Sequence, residues 1–448
     1  MDRKMIKMAD SQKLLLWSQF FSLEPMKVKE NNIIGFYIRI KDGDPKTLEQ
    51  AYNKVIQTND SLRLRFRHSG LLGIRQYIEA FHYIPLPVRR LDSDQAFQTY
   101  LDQIHRYSLP MYGPRLTWAE IVMIPGENAI LVMRFHHLII DGYSIALIFR
   151  RIAEAYEQYK NGKEPEPAQY SVLRVFEQER QYKKSSRHAE DWRYWLRNFN
   201  LQPHYSFPAG HRSEFGACAR QNIEISGCLY HEAMALAMKS GCSIQSIIMS
   251  AAAYTTYLIT RKTNFCIYSL THGRYDRAAK QTVGCLVNTI PVFYNLDPRR
   301  SISDTLKDDY LNFLDALKHG RLSMSEQTLL SYKEALLHGF NFNHAWLIIS
   351  SMEYGAAFSQ SVYEGNYILS RNQPHQFYCS LLEIPGEKIE IGLGYQTRKY
   401  TARQVDQVLQ LFLEVIHGMI LTPEAPLVRL AERVAPGRQQ QPYPTVQG

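Results

Sequence analysis

The sequence predicts an α+β fold made of two halves of comparable size. Segments with strand-like alternation and segments with helical spacing are mixed along the whole chain of 448 residues. A hairpin followed by a long helix occurs in each half, at about 117–160 and at about 377–420. Between the halves lies a stretch with Gly, two Pro and charged residues, 161–169, which has the composition of a linker.

The first half is predicted to contain two helices and three strands. In chain order they are a helix at 46–57, a strand at 62–66, a hairpin of strands at 117–124 and 129–135, and a helix from about Tyr143 to Lys160. The first helix is predicted because Leu48, Ala51 and Val55 share one face. In LRLRF (62–66) apolar and basic side chains alternate, which is the period of a half-buried strand.

The second half is predicted to start with a charged helical stretch. Its elements are the helical stretch at 176–196, a helix near 243–260, a strand at 264–270, a hairpin of strands at 377–384 and 388–396, and a helix from Thr401 to about Ile420. Thr401 and Gln404 form a T-x-x-Q capping box at the start of the last helix. The predicted organisation is an N-terminal lobe at 1–168, a C-terminal lobe at 169–434, and a disordered tail or linker at 435–448.

Composition excludes several classes of protein. Hydrophobic residues make up 45% and charged residues 21% of the chain, which excludes wholesale disorder. A secretory signal and a transmembrane helix are not expected, since no long apolar run is present. Six Cys without a C-x-x-C spacing are typical of reduced thiols in a cytoplasmic protein.

The formal net charge is +9, without any Lys/Arg run longer than two. This disfavours a nucleic-acid platform, which needs clustered basic and aromatic residues. Two interpretations stay open: a solvated basic surface, or attraction to an acidic partner.

The segment HHLIIDG (136–142) joins the first hairpin to the following helix and holds the candidate catalytic residues. A His in such a loop can take a proton from an amine or alcohol, because its pKa is normally near neutrality. The N–H of Gly142 can approach an oxyanion where a side chain would obstruct. Asp141 is placed to hold the loop through a charge partner, and Ser144 to cap the helix. A metal site and a purely structural pair of His are the alternatives.

F-H-H-L-I-I-D-G-Y-S closely resembles the H-H-x-x-x-D-G motif of the condensation domains of nonribosomal peptide synthetases. Three further segments are similar to motifs of that family, in the same order: D-S-L-R-L-R-F (60–66), H-G-R (272–274) and V-G-C-L-V-N-T (283–289). The resemblance implies two chloramphenicol-acetyltransferase-like lobes in a V-shaped pseudo-dimer with a central substrate tunnel.

By this resemblance the protein is an acyltransferase in which an acceptor amine attacks a carrier-bound acyl or aminoacyl thioester. His137 would orient or deprotonate the amine, and His136 would be structural. Asp141 would pair with Arg274, and Asn288 would lie across the tunnel. No cofactor is expected, because the substrates would arrive on phosphopantetheine. The expected partners are acidic carrier proteins and adenylation-containing synthetase subunits, rather than a membrane.

Departures from the family motifs leave the subtype open. The family's opening S-x-A-Q-x-R-L-W is S-Q-K-L-L-L-W (11–17) here, without the Arg. Three alternatives remain: a free-standing acyltransferase that uses acyl-CoA or a small amine or alcohol, a non-catalytic carrier-binding module, and an epimerisation domain, which shares the H-H-x-x-x-D-G motif.

Overall fold

A computed structural model gives the arrangement of most of the chain. It describes residues 4–20, 32–69, 73–104, 109–126, 128–166, 171–201, 216–327, 329–330, 347–350, 363–368, 372–373 and 377–434. The predicted tail, 435–448, lies outside the described residues.

Helices and strands are mixed throughout the described residues. The α-helices are α1 (Asp10–Phe20), α2 (Pro45–Thr58), α3 (Asp94–Ile104), α4 (Gly142–Lys160), α5 (Val172–Tyr182), α6 (Ser186–Leu201), α7 (Gly227–Ser240), α8 (Ile244–Thr260), α9 (Ile302–Lys318), α10 (Ala402–Leu421) and α11 (Leu427–Val434). The strands are β1 (Ile6–Lys7), β2 (Ile33–Lys41), β3 (Leu64–Ser69), β4 (Gly73–Ile78), β5 (Val88–Arg90), β6 (Thr117–Ile124), β7 (Asn128–His136), β8 (Gly216–Ser226), β9 (Asn264–Thr271), β10 (Asn288–Asn295), β11 (Leu347–Ser350), β12 (Tyr363–Ile368), β13 (Asn372–Gln373), β14 (Phe377–Ile384) and β15 (Lys388–Gln396).

The chain divides into two compact units that are not contiguous in sequence. Unit 1 comprises Met1–Ser185, His272–Val287 and Glu353–Asn372, and unit 2 comprises the remaining segments. The predicted lobe boundary at 168/169 differs from this division in two ways. Unit 1 continues through α5, because Val172 and Phe176 are buried in its core. It also includes two later segments, because β12 pairs with β2 and residues 272–287 are bonded to α4.

Unit 1 contains two sheets. Five strands are ordered β12-β2-β7-β6-β5, and three are ordered β1-β4-β3. The predicted hairpin is confirmed as β6 and β7, paired antiparallel from Thr117 opposite Phe135 to Ile124 opposite Asn128. Helices α2 and α4 pack against each other, and their apolar faces contribute to one buried core. The H-H-L-I-I-D-G segment is therefore held between two well-packed elements, the hairpin and α4.

One strand of unit 1 begins later than predicted. The segment Asp60–Arg63 is a 3₁₀ turn, and β3 covers Leu64–Ser69 instead of 62–66. The apolar–basic alternation is shared by both stretches, so periodicity alone does not mark the boundary. The turn is held by the Leu62 N–H, which donates to the Asn59 carbonyl at 3.1 Å.

Unit 2 is built on a third sheet, of seven strands in the order β10-β9-β11-β14-β15-β8-β13. The second predicted hairpin is confirmed as β14 and β15, and the capping box of Thr401 and Gln404 is present at the start of α10. The helical stretch predicted at 176–196 is two helices, α5 and α6. The break follows from Ser185, whose hydroxyl donates to the Tyr182 carbonyl at 2.6 Å and so competes with the helix ladder.

Helix α8 lies almost entirely within the buried core of unit 2. No single helix among the described residues has the length and hydropathy to cross a membrane, although the bent pair α7 and α8 together meets those two criteria.

Asp309 of α9 is a buried carboxyl group in the core of unit 2. The hydroxyl groups of Ser250 and Tyr254 on α8 donate to its Oδ2 at 2.8 and 3.3 Å. Burial raises the pKa of Asp309 to about 7 against these hydrogen bonds. The folded protein thus binds this proton more tightly than the unfolded chain, whose Asp titrates near 4. The contribution of this group to the free energy of unfolding is fully present below about pH 4 and is lost as the pH rises through about 7.

We expect Asp309→Asn to have a higher free energy of unfolding than the parent protein at pH 8, by up to about 4 kcal/mol, and a much smaller advantage near pH 4.5. The amide keeps an acceptor for both hydroxyls and carries no charge. Urea unfolding at the two pH values measures the difference. Asp308→Asn is the control, because its half-exposed carboxylate pairs with Arg300 at the surface. An equal effect of Asp309→Asn at both pH values would contradict this account.

Candidate active site

The loop after β7 is held by its own backbone carbonyls. The Leu138 carbonyl accepts from Gln12 Nε2 at 2.8 Å, and the Ile139 carbonyl accepts from Ser61 Oγ at 2.6 Å. The next carbonyl, of Ile140, lies 2.9 Å from His137 Nδ1. The side chains of residues 138–140 are fully buried in the core of unit 1. Three consecutive carbonyls with separate partners leave this loop little freedom, so the two His have fixed positions.

His137 is half-buried, and its hydrogen bond determines which ring nitrogen can act as a base. A carbonyl oxygen only accepts, so the contact with Ile140 requires the proton of the neutral ring to be on Nδ1. Nε2 then carries the lone pair, and no described residue bonds to it. Burial lowers the pKa of His137, against the opposing effects of Asp141 and two backbone hydrogen bonds. The ring is therefore neutral, and Nε2 can accept a proton, at physiological pH.

His136 has a different environment. Its side chain is buried, and its Nδ1 accepts a hydrogen bond from the Leu138 N–H at 3.1 Å. Burial, together with the neighbouring His137, lowers the pKa of His136 to about 3. This His stays neutral inside unit 1, and its Nδ1 helps to shape the turn.

Asp141 is the N-cap of α4 and the partner of Arg274. Its Oδ1 accepts from Ser144 N at 2.9 Å and its Oδ2 from Arg274 Nη1 at 2.9 Å, with Arg274 Nη2 at 3.1 Å from Oδ1. The Leu286 and Val287 N–H groups also donate to Oδ2, at 2.8 and 3.0 Å. Burial by itself would raise the pKa of Asp141, but the Arg274 guanidinium and these hydrogen bonds hold the pKa below its usual range.

The pair expected from the sequence, Asp141 with Arg274, is thus present, and both side chains are almost fully buried. Arg274 also donates to the carbonyls of His272, Thr282 and Gly284. Its guanidinium lies 4.4 Å from the centre of the Tyr143 ring, a cation–π distance. One ion pair therefore joins the loop, the start of α4 and the segment 272–287.

Ser144 and Gly142 both lie in the first turn of α4. Ser144 is not the cap of α4; Asp141 is, and the buried Ser144 hydroxyl lies within hydrogen-bond distance of Asp141 Oδ1 and the Gly284 carbonyl. Gly142 is the first residue of the helix. At that position its N–H belongs to the first turn, whose donors have no partner inside the helix.

Two functional positions were missed by sequence reasoning. Gly273 has a φ of +63°, and a Cβ there would lie 1.8 Å from the Leu286 carbonyl oxygen, so only Gly fits beside Arg274. Gln12 is fully buried and exchanges a pair of hydrogen bonds with Gln76 while it holds the Leu138 carbonyl. The Gly of the H-G-R segment could have indicated Gly273 from the sequence. Nothing in the local sequence indicates the partner of Gln12.

Asn288 belongs to unit 2, at the start of β10. Its Nδ2 donates to the carbonyls of Gly320 and Leu322, both at 2.8 Å, and its Oδ1 accepts from Met324 N at 2.9 Å. All three bonds hold the segment that follows α9.

The structure therefore brings six of the predicted site residues together in unit 1: His136, His137, Asp141, Gly142, Ser144 and Arg274. The seventh, Asn288, is in the other unit. Within the described residues no three His, Cys, Asp or Glu side chains form a group suited to a metal ion. The Nδ1 atoms of both His are engaged by backbone groups.

Comparison with known proteins places this geometry in a family. A family model described as "Condensation domain" matches residues 31–435. A plipastatin synthase subunit of Bacillus subtilis (strain 168) is 23% identical over 403 residues, which cover 85% of this chain but only 15% of that relative. Surfactin synthase subunit 1 of the same strain is 21% identical over 406 residues, covering 87% of this chain and 11% of that relative. The chain thus spans a small part of these relatives.

Two solved structures share the fold. The first condensation domain of the calcium-dependent antibiotic synthetase is similar with a TM-score of 0.79 and 17% identity, over 95% of this chain and 98% of that one. The starter condensation domain of rhizomide synthetase, in complex with C8-CoA, is similar with a TM-score of 0.78 and 19% identity, over 95% and 96%. The α+β fold predicted from the sequence is confirmed.

Proposed function

Since this chain belongs to the condensation-domain family, we propose that it is an acyltransferase that joins a carrier-bound acyl or aminoacyl thioester to an acceptor amine, forming an amide bond. Such a reaction needs little covalent chemistry from the protein, because a thioester is already activated. The protein must hold the two reactants in attack geometry and move one proton.

The observation that carries this proposal is Nε2 of His137, which carries the lone pair and to which no described residue bonds. The amine nitrogen attacks the thioester carbonyl, a C–N bond forms and the C–S bond breaks. Nε2 takes the proton that the amine loses and passes it to the departing thiolate, which leaves as a thiol while His137 returns to its neutral form. The fixed Nδ1 bond to the Ile140 carbonyl keeps the basic nitrogen on the opposite side of the ring.

The other residues of the site are proposed to position groups or to stabilise charge rather than to transfer a proton. Asp141 and Arg274 fix the loop and the start of α4, and His136 shapes the turn. The Gly142 N–H, in the first turn of α4, is proposed to stabilise the developing oxyanion, because that end of a helix carries partial positive charge. Ser144 stays a structural hydroxyl, and Asn288 positions the segment after α9.

We propose that the donor is delivered on the phosphopantetheine arm of an acidic carrier protein. The formal charge of +9 favours encounter with an acidic partner. The relatives are synthetase subunits much longer than this chain, which supports a multidomain or multiprotein assembly line as the setting.

Reconstitution tests the function. The full chain is incubated with a panel of carrier proteins loaded with acyl or aminoacyl groups and with a second panel of amine acceptors, free and carrier-bound. Amide product, identified by mass spectrometry and dependent on the enzyme, is the expected result. Exchange of the α-hydrogen without any amide would identify an epimerisation domain instead. Carrier binding without turnover of any donor would identify a non-catalytic module.

A soluble acyl-CoA donor is the second candidate, favoured by the likeness to a starter condensation domain in complex with C8-CoA. The same acyl group is offered on a carrier protein and on CoA, with amine and alcohol acceptors in parallel. A higher kcat/KM for the carrier-bound donor supports the first proposal, whereas a preference for CoA supports the second.

A further inference from the structure

A row of three cations crosses the small sheet of unit 1. Lys7 on β1 lies directly opposite Arg75 on β4, and Arg75 lies directly opposite Arg67 on β3. Residues in register on neighbouring strands share a face, so the three charges follow one another at about 5 Å spacing. Like charges directly opposite destabilise a sheet. No carboxylate among the described residues forms an ion pair with any of the three.

Lys7 also lies at the edge of a cleft of about 570 Å³ that is formed within unit 1 alone. The lining also includes Arg180, Lys183 and Lys184, from the C-terminal part of α5 and the residues after it. Buried apolar side chains, including Ile6, Met8 and Phe176, contribute to the lining. This volume is in the range of small-molecule sites.

The carboxyl groups of the cleft are already engaged. Asp10, which is buried, pairs with Lys13 at 2.7 Å and also with Lys183. Glu177 pairs with Arg180. Burial, with the charge of Asp10 adding to it, raises the pKa of Glu179 to about 7, so this carboxyl is partly neutral at physiological pH. Lys184 and Lys7 are exposed and have no such partner in the described part of the chain, so the cleft and the row together keep a positive surplus.

We propose that this cleft, with Lys7 at its rim and the charges of Arg75 and Arg67 continuing from Lys7 across the sheet, binds a small molecule that carries a phosphate or pyrophosphate group. Flexible ammonium groups and guanidinium groups are the side chains that hold phosphate oxygens. An external anion would also relieve the repulsion along the row. The apolar part of the lining suits a ligand with an uncharged ring beside its phosphates. The proposal is independent of the amide-forming reaction.

Titration calorimetry of the full chain with inorganic pyrophosphate, ADP and adenosine, in metal-free buffer with physiological salt, tests this site. Saturable binding of pyrophosphate and tighter binding of ADP are expected, without measurable binding of adenosine. Lys7→Gln/Lys184→Gln should weaken pyrophosphate binding by about tenfold or more, since two charge-assisted contacts are lost.

Lys160→Gln/Lys163→Gln is the matched control, because it removes two exposed lysines of the same unit outside the cleft. An equal loss in the control would show only general charge attraction and would overturn the proposal. So would the absence of saturable binding below about 1 mM. Binding of a polyglutamate peptide that pyrophosphate does not displace would assign the surface to an acidic protein instead, against the proposal.

A second measurement locates the ligand. Pyrophosphate should protect the Lys7 and Lys184 amines from acetylation while Lys160 and Lys163 stay reactive, as mapped by mass spectrometry. Protection of all four lysines, or of none, would contradict a site in this cleft. Thermal unfolding midpoints of the variants, expected to equal that of the parent, separate lost binding from lost folding.

Discussion

Arg274→Met lowers the free energy of unfolding by about 3–5 kcal/mol, because it leaves the Asp141 carboxylate buried without its counter-charge. The same change removes donors from the carbonyls of His272, Thr282 and Gly284 and releases the segment 272–287 from α4. Urea unfolding followed by circular dichroism measures the loss. Amide formation is expected to fall as well, since the loop that carries His137 begins to move.

Arg174→Met is the control for this prediction. Arg174 pairs with Asp276 in the same unit, but both side chains are substantially exposed, and the pair is expected to contribute no more than about 1 kcal/mol. The double variant Asp141→Asn/Arg274→Met should be less destabilised than the two single changes added together, because no unpaired charge remains. If Arg274→Met lowered the free energy of unfolding no more than Arg174→Met does, the pair of Asp141 and Arg274 would not stabilise the loop as the geometry indicates.

His137→Ala reduces kcat for amide formation by about 10²–10⁴-fold, with KM nearly unchanged. The variant loses the only proton acceptor proposed at the reacting amine but no contact that binds the donor. Steady-state rates with a loaded carrier measure the effect. His82→Ala, which removes an exposed His of the same unit, should leave kcat unchanged. A His137→Ala variant with undiminished kcat, and with unfolding like that of the parent, would reject the role of Nε2.

The pH profile gives a second test of the same residue. Burial lowers the pKa of His137, so the neutral ring persists below the pH at which an exposed His becomes protonated. The acid limb of kcat/KM should therefore lie below about pH 6.5 in the parent and disappear in the residual activity of His137→Ala. An acid limb above that pH, or one that survives the substitution, would point to another base.

Much of the fold follows from local pattern. The two hairpins, α2, α8 and the capping box of α10 occur where periodicity and turn residues predict them. The predicted boundaries are wrong where two neighbouring secondary structures share one sequence pattern. The alternation in LRLRF continues through the 3₁₀ turn into β3, and the charged stretch after the linker is helical on both sides of its break at Ser185. The predicted lobe boundary differs from the division into compact units for another reason, since pairings such as β12 with β2 join segments distant in the chain.

By itself the sequence determined the fold class, both hairpins with the helix after each, and the loop that presents His137 between a strand and a helix, because these depend on periodicity, turn residues and recognisable motifs. The resemblance to condensation domains also anticipated the pairing of Asp141 with Arg274. Only the tertiary structure decided which nitrogen of His137 is basic and why Gly273 must be Gly, since both depend on backbone carbonyls. It alone assigned the cap of α4 to Asp141. It also placed Gln12 against the loop and aligned the cations of the small sheet, contacts between residues far apart in the chain.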